Sequence, residues 1–178
     1  LLGYTHLHND AAGRFRACSV EKSLTSGVGE DVARFFYGED RHVQRFYEDT
    51  LPKLLSPHLE SLGYSGPIGI DAMIARETDG SLVHHPMIEM NPRFTMGRVT
   101  LELARHVVKG ERAVFQILTQ KHLKTFEAES FAELADQLER SAPLDLVTNQ
   151  NGRRCLRSGL LVLNDPSQAQ AFMGVLRV

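Results

Sequence analysis

Residues Gly66 to Arg93 read GPIGIDAMIARETDGSLVHHPMIEMNPR, two largely apolar runs on either side of a Thr-Asp-Gly reversal. An Asp-Gly pair between such runs is a strong hairpin signal, because glycine takes the positive φ that a tight turn needs. Strands are expected over 68–75 and 82–91. Successive side chains point to opposite faces of a strand, so parity sorts the polar residues. Ile68, Ile70, Ala72 and Ile74 form one apolar face, and Gly69, Asp71 and Met73 the other. On the second strand Ile88 and Met90 are expected to join the core, with Met87, Glu89 and Asn91 facing the opposite way. Asp71, Glu89 and Asn91 share one face if the connection has odd register or a bulge. A strict two-residue loop at Asp79-Gly80 would put Asp71 across from Ile88 and separate the carboxylates.

The flanking sequence alternates between the two periodicities. LLGYTHLHNDAAGRFRACSV suggests a strand, a turn at Asn9 to Gly13 and a return strand, and TSGVGED then reads as a surface loop. In EDRHVQRFYEDTLPKLLSPHLESLGY, Val43, Phe46, Leu51, Leu54, Leu55, Leu59 and Leu62 recur at helical spacing, with Pro52 and Pro57 splitting or kinking the helix. MGRVTLELARHVVKG is expected to be helical, with Thr95 as cap and Gly110 as stop. AVFQILTQ looks extended, and SFAELADQLERS opens a helix with the Ser130/Glu133 capping-box spacing. The tail suggests two strands around a turn begun by proline. The order β-β-α-β-β-α-β-α-β-β is an α+β pattern, an antiparallel sheet flanked by helices. It divides into residues 1–110 and a small β-rich appendage, 111–178.

A chain of 178 residues, 42% hydrophobic and 24% charged, can bury one good core or two small ones. Its 20 basic and 22 acidic residues give a net charge of −2 and are mixed along the sequence. That leaves no broad field to hold nucleic acid or an anionic membrane. Cys18 and Cys155 share no C-x-x-C spacing and read as reduced thiols, which favours the cytoplasm. No apolar run approaches the ~20 residues of a membrane span. The opening LLGYTHLHND has neither an initiator Met nor a secretory signal, and a piece of a longer protein is expected.

Two carboxylates and an amide oxygen on one sheet face make a hard, all-oxygen ligand set of the kind magnesium takes alongside phosphate oxygens. Arg93 adds a planar fork suited to phosphate or carboxylate, and a helix start near Gly97 offers amides and a positive dipole end. The ordinary alternative is that these acids decorate the solvent face of a strand. His84 and His85 project to opposite faces and make no joint metal site. His6 and His8, one face apart by two residues, read as exposed strand residues. Arg98 could read an anionic group or simply be solvated, and Arg153, Arg154 and Arg157 read as a charged strand flank.

The segment from Gly63 to Val108, and IEMNPR within it, resembles the C-terminal catalytic half of the ATP-grasp superfamily, with its acidic strand followed by E-x-N-x-R on the next strand. The resemblance implies that Glu89 bridges two magnesium (or manganese) ions, Asn91 ligates the second and Asp71 the first, and Arg93 contacts the γ-phosphate of ATP or the acyl-phosphate. It further implies a carboxylate-amine ligase that activates a small-molecule carboxylate with ATP for attack by an amine or other nucleophile. The alternative is an inert nucleotide-binding or scaffolding domain of the same fold. The Asp71 to Glu89 spacing is longer than is common in the family, with VHHP taken as an extension of the turn. The family's adenine strand, lysines and glycine-rich lid lie upstream of the matched part, so the rest of the fold is the expected partner and this chain alone is expected to bind nucleotide weakly without turnover. A homodimer is an allowed assembly.

Overall fold

The computed structural model describes residues 1–38 and 40–178 and is an α+β arrangement of antiparallel sheets with short helices. Glu39, with which the long segment read as helical begins, lies outside the described residues. The chain divides into two compact units, residues 1–3 with 25–98 and residues 4–24 with 99–178. This division differs from a boundary at residue 110. Strands β1 (His6–Asn9) and β2 (Phe15–Val20) pair with each other, and β2 then pairs with β5 (Ala113–Thr119) through Ala17↔Gln116 to Val20↔Ala113. Backbone pairing of β2 with β5 therefore ties the first hairpin to the C-terminal residues.

The hairpin β3 (Gly69–Arg76) and β4 (Leu82–Asn91) lies in the other unit, after α1 (Glu30–Tyr37), α2 (His42–Arg45), a π-helical turn (Phe46–Thr50) and α3 (Leu51–Ser61). Helix α1 has no counterpart in the order expected from the sequence; its signals are Glu30 and Asp31 in the first turn and a Glu30–Arg34 pair four residues apart. Pro52 falls in the first turn of α3, where a missing N–H is least costly, and the wide π-helical turn lies just before it. Phe36, Val43, Tyr47, Leu51 and Leu59 are buried here. No described residue of β3 or β4 is fully buried. Ile88, expected in the core, is 59% exposed.

In the second unit the sheet order is β1-β2-β5-β9-β8, with β8 Leu160–Val162 and β9 Phe172–Arg177, and β6 (Asp145–Thr148) pairs separately with β7 (Arg154–Ser158). Strand β9 lies between β5 and β8, and its parity divides two clusters. Met173 and Val175 pack with Leu118, Leu160 and the Phe131, Leu134 and Leu138 stripe of α6 (Phe131–Ser141), while Leu176 packs with Val107, Ala113 and Leu156. Helix α6 opens as its sequence requires. The Ser130 hydroxyl accepts the Glu133 amide at 3.2 Å, and Glu133 accepts the Glu129 amide at 2.8 Å. Helix α4 (Met96–Ala104) is shorter than expected, because Val107 leaves the helix to bridge Leu156. Helix α5 (Gln120–Thr125) completes the set.

Cys18 and Cys155 are free and buried. His6 and His8 are half-buried rather than exposed: His6 Nε2 lies 2.6 Å from the Leu24 carbonyl, and His8 Nε2 lies 2.8 Å from the hydroxyl of the fully buried Ser19. Ser19 donates to Glu21, which also accepts from Arg112 at 2.7 Å. Burial favours the neutral Glu21 carboxyl, yet these two hydrogen bonds and the guanidinium outweigh it and hold the group below the usual carboxylate range. Among the described residues no helix is long and apolar enough to cross a membrane.

Candidate functional site

The β3–β4 connection is a three-residue loop, Thr78–Asp79–Gly80. The Glu77 amide donates to Ser81 O at 2.9 Å, Asp79 Oδ1 accepts the Ser81 amide, and Gly80 takes φ +86. An odd loop gives even register sums. The ladder accordingly runs Arg76↔Leu82, Ala75↔Val83, Ile74↔His84 and Met73↔His85. It then shifts. Ala72 faces three residues, Pro86, Met87 and Ile88, and pairing resumes as Asp71↔Glu89, Ile70↔Met90 and Gly69↔Asn91. The extra length between Asp71 and Glu89 therefore resides in a β4 bulge, not in an extended turn, since Val83 to His85 belong to the ladder. Proline in a strand marks such a place, because it has no N–H to give to the ladder.

Asp71 and Glu89 are thus directly opposite, a relation that puts β-carbons about 5 Å apart. Asn91 follows two residues on, on the same face. Asp71 and Asn91 are half-buried, Glu89 and Arg93 exposed. Burial, and then the Glu89 carboxylate, pushes the Asp71 carboxyl above its usual range, while Arg93 pulls it down. Arg93 Nη2 donates to Asn91 Oδ1 at 3.2 Å, occupying one lone pair of the oxygen read as a ligand.

Gly69 faces Asn91 and is glycine for a local reason. A β-carbon there would lie 2.7 Å from Thr95 Cγ2. The Thr95 hydroxyl in turn accepts the Arg98 amide at 3.2 Å, so one of the first amides of α4 is already engaged. Arg98 lies with its guanidinium carbon 5.8 Å from the centre of the Phe94 ring. On the far side of the bulge Tyr47 donates its hydroxyl to Pro86 O at 3.0 Å and lies 2.6 Å from His84 Nε2, an arrangement in which the ring N–H donates to the phenol oxygen. Burial pushes the Tyr47 phenol up to about 12 and lowers His84, whose neighbours His42 and His85 act the same way. His85 is exposed, on the other side of the strand. The sequence reading missed Tyr47; Pro86 inside a strand pattern was the available signal.

Among the described residues no group of three or more His, Cys, Asp or Glu is arranged to hold a metal ion. The hairpin offers two carboxylates and the Asn91 amide oxygen, a donor set that fits magnesium or manganese completed by water and phosphate oxygens. The TSGVGED loop leads into α1, whose acidic first turn, Glu30 and Asp31, repels phosphate. Arg157 is paired with Asp145, Nε to Oδ2 at 2.6 Å, and its neighbours Arg153 and Arg154 are exposed at the start of β7.

The raised Asp71 carboxyl has a pH consequence. The folded state holds this proton more tightly than the unfolded chain, so folding loses stability as pH rises above the unfolded carboxyl value of about 3.9. Asp71→Asn is expected to raise the urea midpoint at neutral pH, and the gain should shrink as pH falls toward that value. A lower midpoint for the variant at neutral pH would refute the assignment.

No family model matches the chain, and neither a curated protein nor a solved structure matches it.

Proposed function

We propose that the β3–β4 hairpin is a divalent-cation and phosphate site, and, more narrowly, that the chain is the catalytic half of an ATP- and magnesium-dependent ligase of the ATP-grasp kind. The observation that carries this reading is the direct opposition of Asp71 and Glu89, with Asn91 next on the same face. Like charges set opposite each other cost stability, and a cation shared between them would offset that cost. Glu89, Asn91 and Asp71 would hold magnesium or manganese, which when bound neutralises phosphate oxygens. Arg93 would orient the phosphoryl group, leaving Asn91 Oδ1 as it does so.

The activity proposed is activation of a small-molecule carboxylate by ATP for attack by an amine or other nucleophile, carried out together with the remainder of an ATP-grasp fold. The second reading, an inert nucleotide-binding or scaffolding domain, is favoured by the Arg93–Asn91 hydrogen bond, which engages a ligand oxygen with the protein's own cation. Calorimetric titration with Mg-ATP of the protein together with the remainder of the proposed fold, followed by phosphate release with candidate carboxylates, separates the two. Binding without release for any carboxylate supports the second in its nucleotide-binding form; no binding at all rejects the ligase and leaves the scaffolding domain. Turnover by the 178-residue chain alone would contradict its assignment as half a site.

A further inference from the structure

We infer that Tyr47 is a positioning residue for the carboxylate pair: its hydroxyl pins the β4 bulge at Pro86, and the bulge sets Asp71 opposite Glu89 rather than opposite Met87. The relevance to cation binding rests on the function proposed above; the register itself does not.

Continuing the turn-proximal ladder without a bulge, from Met73↔His85, would pair Asp71 with Met87 and Gly69 with Glu89. That alternative is a slip of two residues, so every side chain keeps its face and the hydrophobic pattern cannot reject it, as it would a slip of one. Burial gives little help either, because Met73, Met87 and Ile88 are 48%, 47% and 59% exposed. Something other than core packing must choose the register. Pro86 lacks a ladder donor, and its carbonyl accepts the Tyr47 hydroxyl at 3.0 Å, while Nε2 of His84, the last half-buried ladder residue before the bulge, lies 2.6 Å from the Tyr47 hydroxyl oxygen. The Tyr47 ring is buried and makes an edge-on contact with His84, centroids 5.5 Å apart. Tyr47 comes from the π-helical turn, a local widening of the kind that recurs at functional sites. One hydrogen bond donated by the buried phenol to Pro86 and one accepted from His84 thus hold the strand where the extra residues begin.

Deleting Met87 and Ile88 gives a clean control. The shortened strand would pair His85, Pro86 and Glu89 with Met73, Ala72 and Asp71 in an unbroken ladder, so Asp71 faces Glu89 without a bulge to pin. The experiment compares Tyr47→Phe in the native chain and in the deletion chain, reading cross-strand NOEs from Asp71 and the affinity for Mn²⁺ alone from paramagnetic broadening. In the native chain, Tyr47→Phe is expected to replace the Asp71–Glu89 contact by Asp71–Met87 and to weaken Mn²⁺ binding by roughly tenfold or more. In the deletion chain it should change neither. An Asp71–Glu89 contact that survives Tyr47→Phe in the native chain overturns the inference, as does failure of both Tyr47→Phe chains to fold, which would make Tyr47 a packing residue. Loss of the contact in chains that never bind Mn²⁺ upholds the role of Tyr47 in the register and rejects the cation site instead.

Discussion

Gly159→Ala is expected to destabilise the unit formed by residues 4–24 and 99–178 by about 3 kcal/mol or more. Gly159 separates β7 from β8 at φ +106, and a β-carbon there would lie 2.3 Å from the Pro143 carbonyl oxygen and 2.9 Å from Leu144 Cα. Both are backbone atoms that cannot rotate away. The position is held from both sides, by paired hydrogen bonds between Gly159 and Val178 at 3.2 and 3.0 Å and by the Leu160 amide on Ala142 O at 2.9 Å. Moving it also moves Leu160, a fully buried member of the α6 cluster. Gly110→Ala is the control. Gly110 has φ +90 but open space around the would-be β-carbon, so only backbone strain of about 1 kcal/mol is expected. Urea unfolding followed by circular dichroism, with hydrogen exchange of β8 and β9 amides, measures both. Equal losses in the two variants would show that the close approach to Pro143 is relieved cheaply.

Under the ligase reading, Glu89→Gln is expected to lower phosphate release by the complete protein at least about a hundredfold, because it removes a charge that the nucleotide-bound cations require. Stability should move the other way. Glutamine is nearly isosteric, Glu89 is exposed, and the change removes the like charge opposite Asp71, so the Asp71 carboxyl should titrate closer to its ordinary value. Activity lost from a fold that is as stable as the parent, or more so, distinguishes a cation ligand from a structural acid. Release within a few fold of the parent would remove Glu89 from the site and with it the reason for the hairpin's charge arrangement.

Much of the local structure was legible. The Ser130 cap, the turn at Asn9 to Gly13, the β5 strand and the Asp79-Gly80 reversal each follow from side-chain and φ preferences within a few residues. The placing of Asp71, Glu89 and Asn91 on one face was an expectation conditional on the connection, and the ladder meets the condition with an odd-length loop and a bulge. Less was available for Ile88 and the histidines. An alternating pattern says which residues share a face but not whether another layer covers that face, so Ile88 is exposed where burial was expected, and His6 and His8 are engaged where solvent was expected. The join of β2 to β5 pairs residues more than ninety positions apart, and no local preference encodes a partner at that distance.

The sequence alone determined the hairpin, its turn and which residues within each strand share a face, because these depend on alternation and on one glycine at positive φ. Which acid stands opposite which was decided only in the tertiary structure: the two candidate registers differ by two residues and keep the same faces, so the choice falls to Tyr47, reaching Pro86 from a different element.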